Sequence, residues 1–91
     1  MNKIALECRE LLKINSINID SEIDFDVNSK RHTLSFGYII DTFMLASDSS
    51  QISFLKALER AAILGSDGVE SFFQNMGQLL LMTHLSKKIE L

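Results

Sequence analysis

The chain reads as α+β, a small antiparallel sheet flanked by helices, and three observations predict it. Apolar residues at the start recur at helical spacing. Residues 22–27 alternate strictly between acidic and apolar. A cluster of helix-capping residues at 47–50 then opens a long apolar stretch with a period close to four.

The first element is a helix. Ile4, Cys8, Leu11 and Leu12 share one face, with Ala5 beside them, while Lys3 and Glu7 lie one turn apart on another. Asn2 can cap its start, and Asn15 and Ser16 end it. Ile14, Ile17 and Ile19 are β-branched and favour extended chain. In Glu22-Ile23-Asp24-Phe25-Asp26-Val27 the apolar side chains face one way and the acids the other. Asn28-Ser29-Lys30-Arg31 reads as a polar turn. Thr33 to Leu45 is rich in β-branched and aromatic residues on both parities, which predicts one or two further strands, with Gly37 as a bulge or bend between them.

A helix is expected from about Gln51 to Leu64, stopped by Gly65. Leu55, Leu58 and Ala62 form one face with Ile52. Ala57, Ala61 and Gly65 form a stripe of small residues that lets another helix approach closely. The tail from Gly68 admits two readings. Val69, Phe72, Phe73, Met76 and Leu80 fit a helix, with Asp67 and Glu70 as a cap pair. Gly77 interrupts that pattern, so Asn75-Met76-Gly77-Gln78 fits a hairpin turn equally well.

Composition narrows the function. The chain has 91 residues, 9 Lys and Arg against 12 Asp and Glu, and a net charge of -3. It reads as a single domain, 1–91. Apolar residues at 46 % are too many for a disordered chain. An acidic chain is a poor match for the phosphate backbone, so no nucleic acid is expected. One cysteine builds neither a disulfide framework nor a cysteine-based zinc site, and it suits a reducing cytoplasm. Glu7, Arg9 and Glu10 interrupt the first apolar run before a signal sequence forms, and no stretch is apolar enough for membrane insertion. The protein is therefore expected to be cytoplasmic. A domain of this size is marginal alone, which points to association with another chain.

Charge is uneven along the chain. Residues 20–48 carry six acids (Asp20, Glu22, Asp24, Asp26, Asp41, Asp48) and two bases, Lys30 and Arg31. The acids at 20–26 resemble the opening of a calcium loop. Phe25 and Arg31 stand where such a loop needs glycine and a bidentate glutamate, so a solvated strand face is the simpler reading. The acidic face Glu22, Asp24 and Asp26 could otherwise steer a basic partner. His32 and His84 have no metal-ligand neighbours in sequence; His32 reads as a turn residue. Cys8 reads as a small core residue rather than a nucleophile. Gly65-Ser66-Asp67-Gly68 lacks the lysine of a phosphate loop. No catalytic residue, metal or cofactor is expected. What remains is a surplus of apolar surface at Phe72, Phe73, Met76, Leu79–Met82 and Leu85, which suits a binding protein.

Three passages resemble the class I type III secretion chaperones, the Tir chaperone family. The helix from Ile4 to Ile14 is followed by a strand, as there. Phe54-Leu55-Lys56-Ala57-Leu58-Glu59-Arg60-Ala61-Ala62 is similar to the family's second helix, LL-x-AL-x-x-A-N. Gly77-Gln78-Leu79-Leu80-Leu81-Met82-Thr83-His84-Leu85 resembles the strand pattern G-x-L-x-L-x-x-x-L. The resemblance implies a hairpin in the tail and an order α-β-β-(β)-α-β-β. It also implies a non-catalytic cytosolic chaperone or accessory protein that binds a secreted effector or secretion component and forms a homodimer or heterodimer. The dimer interface would fall on Leu55, Leu58, Ala61 and Ala62. Client contacts would fall on Cys8, Leu12, Phe72, Leu80 and Met82. The alternative reading is a small acidic inhibitor of the immunity or antitoxin type, whose strand acids cover a basic toxin surface.

Overall fold

The computed structural model describes the backbone of residues 2–90 and the side chains of residues 2–83. Over the described residues the fold is α+β, with four helices and one two-stranded antiparallel sheet: α1 (Lys3–Ile14), β1 (Glu22–Val27), β2 (Lys30–Ser35), α2 (Phe36–Phe43), α3 (Asp48–Ala62) and α4 (Gly65–Glu90).

Helix α1 forms where the periodicity places it. The Asn2 side chain caps it, accepting from the Ile4 amide at 2.7 Å. At the other end the Asn15 side chain donates to the Leu11 carbonyl at 2.8 Å. Ser16 adopts φ 60°, and the Ile17 amide returns to the Leu12 carbonyl at 2.9 Å. The helix thus ends in a left-handed turn that satisfies its last carbonyls.

The hairpin is tighter than the polar run 28–31 implies. Asn28 and Ser29 alone make the turn, at φ 54° and 64°, the two left-handed residues of a type I′ loop. Lys30 and Arg31 already belong to β2, paired with Val27 and Asp26. His32 is likewise a strand residue, opposite Phe25, rather than a turn residue. Phe25 and Val27 are buried against the helices and the alternating acids face outward.

Of the strands expected in 33–45, Thr33–Ser35 is strand, as the end of β2, and the rest is a correction. Strand β2 stops at Ser35, and Phe36 to Phe43 is helical. Ser35 is its N-cap: the hydroxyl oxygen accepts from the Tyr38 amide at 3.1 Å. Phe36, Ile39, Ile40 and Phe43 recur at i, i+3, i+4 and i+7, which buries three of them fully and the fourth partly. Gly37 is not a strand bulge. It lies in the first turn of α2, and its amide donates to the Ile19 carbonyl at 2.9 Å.

Helix α3 starts three residues before the expected Gln51, because Ser47 caps it through the Ser50 amide at 3.3 Å. Gly65 breaks the path at φ +81°, as its place after the helix suggests. The tail is the second correction. No hairpin forms at Asn75–Gln78; residues 65–90 are one helix of 26 residues. Gly77 sits inside that helix because the Phe25 ring occupies the space where a side chain would be. Of the small-residue stripe, only Ala61 meets the next helix closely, its carbonyl lying against Gly68 at the start of α4; Ala57 lines an open groove and nothing lies near the β-position of Gly65.

The core lies between the hairpin and the helices. Cys8, Leu12, Ile39, Ile40, Leu58 and Phe73 have no solvent exposure. Phe54 stacks on Phe43 at 4.8 Å and meets Phe72 edge-on at 5.2 Å, while Phe36 meets Phe73 edge-on at 5.0 Å. Such pairs add about 0.5–1.5 kcal/mol each beyond their buried area.

Candidate protein-binding groove

Helices α1 and α3 lie side by side and run in the same sense. At their first turns the Asn2 amide nitrogen donates to Gln51 Oε1 at 2.6 Å. Further along, Leu6, Glu7, Glu10 and Leu11 of α1 face the same opening as Leu55 and Glu59 of α3. Gln51 is buried and holds this junction from inside. Its Nε2 donates to the carbonyls of Met44 at 3.1 Å and Ala46 at 2.9 Å. Arg9 ties α1 to α2 through an ion pair with Asp41, in which the one nitrogen Nη2 donates to both carboxylate oxygens, at 2.9 and 3.2 Å.

Above this junction the two helices enclose a groove of about 310 Å³, lined by Lys3, Leu6, Glu7, Glu10, Leu11, Ile14, Leu55 and Glu59. The half-buried Leu11 and Leu55 form its floor. Leu6 and Ile14 stand in its wall with 48 % and 74 % of their surface open to solvent. The rim carries three carboxylates and one ammonium. Beneath it, the Cys8 thiol is pushed up to about 11, by burial first and then by the charges of Glu7 and Glu59. A thiol held protonated is no nucleophile at neutral pH.

The residues singled out from the sequence are dispersed. Of the expected interface, Leu55 lies in the groove. Leu58, three residues on, is turned further inward and lies in the core with no exposed surface. Ala61 and Ala62 are half-buried, with Ala62 against the core. Of the expected client contacts, Cys8 and Leu12 are both fully enclosed by the protein itself. Phe72 is half-buried in the aromatic cluster, Leu80 is half-buried, and Met82 is 52 % exposed on α4.

The acidic face is present but partly answered. Glu22, Asp24 and Asp26 are exposed along β1. Arg31 approaches Asp26 at 3.5 Å and Asp24 at 4.0 Å, and the Thr33 hydroxyl donates to Asp24 at 3.0 Å. Among the described residues no group of three metal-ligating side chains comes together, and no helix is long and apolar enough to cross a membrane.

A second groove of about 330 Å³ lies between α3 and α4, over Phe43, Phe54, Phe72 and Met76, with a rim of Ser49, Ser50 and Ser53. Its rim holds no charge, so it offers a partner less to recognise.

Leu6, Ile14 and the groove carboxylates are not among the site residues expected from the sequence. The signal was there: Lys3, Leu6, Glu7, Glu10 and Ile14 form one helical stripe, offset from the Ile4–Cys8–Leu12 face. Comparisons with protein-family models, with curated proteins and with solved structures found no match.

Proposed function

We propose that this protein is a non-catalytic binding protein that captures another protein chain on the α1–α3 groove, as a secretion chaperone or accessory protein would. The observation that carries the reading is the pair Leu6 and Ile14, two large apolar side chains held open to solvent beside the half-buried Leu11 and Leu55. Isolated exposed apolar residues are ordinary, but a grouped set with a charged rim marks a binding surface. The inhibitor reading rests on the strand acids, and Arg31 already faces two of the three. The groove carboxylates have no such cation except Lys3.

The test is recovery of the native partner. A photo-crosslinking residue at position 6 or 14 should join one defined host protein to this chain. The same residue at position 64, exposed just past the end of α3 and outside the groove, should not. Equal yields from all three positions would sink the reading.

A further inference from the structure

We infer that the occupant of the α1–α3 groove is an amphipathic helix with a basic margin; this rests on the groove being the capture site proposed above. Two observations set the chemistry. Both walls are helices whose backbone amides and carbonyls are bonded internally. An extended segment laid between them would bury its own peptide groups without partners, whereas a helix brings its backbone already satisfied. The apolar positions Leu6, Leu11 and Ile14 span two to three turns, which a ridge of side chains at i, i+3 or i+4, and i+7 matches.

The rim decides the charge. Glu7 and Glu10 edge one side and Glu59 the other, against Lys3 alone. A partner helix carrying Lys or Arg beside its apolar ridge meets opposite charge on both edges. A second copy of this chain in the same groove would bring the carboxylates of two rims together. The overall charge of -3 favours approach of the same basic class.

Two labelled model helices test this by fluorescence anisotropy with the full chain. They share a leucine ridge; one carries lysine on its flanks, the other glutamate. The lysine helix should bind at least about tenfold more tightly, with the advantage shrinking as salt is raised. Leu6→Asp with Ile14→Asp should abolish binding, and Leu64→Asp, at an exposed position outside the groove, should not change it. Glu7→Lys with Glu10→Lys should reverse the preference. All these positions are exposed, and circular dichroism verifies that each variant is folded. Equal binding of both helices, still lost in the Leu6/Ile14 variant, overturns the basic margin and leaves the groove reading standing. Binding indifferent to Leu6 and Ile14, or none by either helix, overturns the helix-in-groove inference. The crosslinking result at positions 6 and 14 then decides the capture reading separately.

Discussion

Gly77 of α4 lies directly beneath the ring of Phe25 in β1. A β-carbon there would stand 2.8 Å from Phe25 Cε1 and nearer still to Cζ, with Ile39 Cδ1 at 3.1 Å. The missing side chain is what lets the longest helix rest on the hairpin.

Gly77→Ala should therefore destabilise the protein, although alanine favours an ordinary helix interior by about 1 kcal/mol. Overpacking of this kind costs about 1–3 kcal/mol, which outweighs the gain. Urea denaturation of Gly77→Ala, Phe25→Leu and the double variant checks it. The double variant should lose less than the sum, because the smaller side chain makes room.

Gly65 makes a contrast. Nothing surrounds its β-position, but its φ of +81° is left-handed. Gly65→Ala should cost about 1–2 kcal/mol through the backbone alone, and Gly65→Asn should recover part of it. Thermal melts of the two variants distinguish strain from crowding.

Gln51 has a larger structural role than its place near a helix start suggests. Gln51→Ala removes partners from the Met44 and Ala46 carbonyls and from the Asn2 amide at once. The expected loss is about 1–3 kcal/mol, and Gln51→Glu should not rescue it, since a carboxylate cannot donate to the two carbonyls. Chemical denaturation reads both.

Cys8 predicts a pH dependence. Its thiol is raised from an ordinary 9.0 to about 11 when folded. Below pH 9 it is protonated in both states and the fold keeps its full stability. Between pH 9 and 11 the unfolded chain ionises first, so stability falls as pH rises. Cys8→Ala should lose some stability everywhere and flatten that part of the profile, as urea midpoints at pH 8 and pH 10.5 would reveal. At pH 8 a thiol reagent should modify the native protein only as fast as it opens.

Far-UV circular dichroism should be dominated by helix with a small strand contribution. A spectrum with strand as a major component would restore the tail hairpin that the secretion-chaperone resemblance implies.

Sequence and structure agree where one pattern acts alone. Strand β1 has a single apolar face and helix α1 a dominant one, so spacing names both the element and its buried side. Agreement fails where composition and spacing conflict. Phe36 to Phe43 has strand-like residues at helical intervals, and capping by Ser35 together with burial of Phe36, Ile39 and Ile40 settles it as helix. The tail fails for a different reason. The pressure that retains Gly77 comes from Phe25, more than fifty residues earlier, which no local window contains. The groove is half visible: Leu55 stands out in the sequence, and its partners on α1 form a stripe whose meaning appears only once the two helices are known to lie side by side.

That arrangement has a thermodynamic consequence. The walls of the groove come from segments 49 residues apart, joined at Asn2 and Gln51. The groove does not exist until the intervening hairpin and α2 have closed that loop, so whatever binds both walls binds only the folded chain. A partner present at a hundredfold its dissociation constant would add about 2.7 kcal/mol to stability, a substantial fraction of what a small domain possesses. Capture of a partner and survival of the fold are then one equilibrium, and a cell that lost the partner would be expected to hold less of this protein.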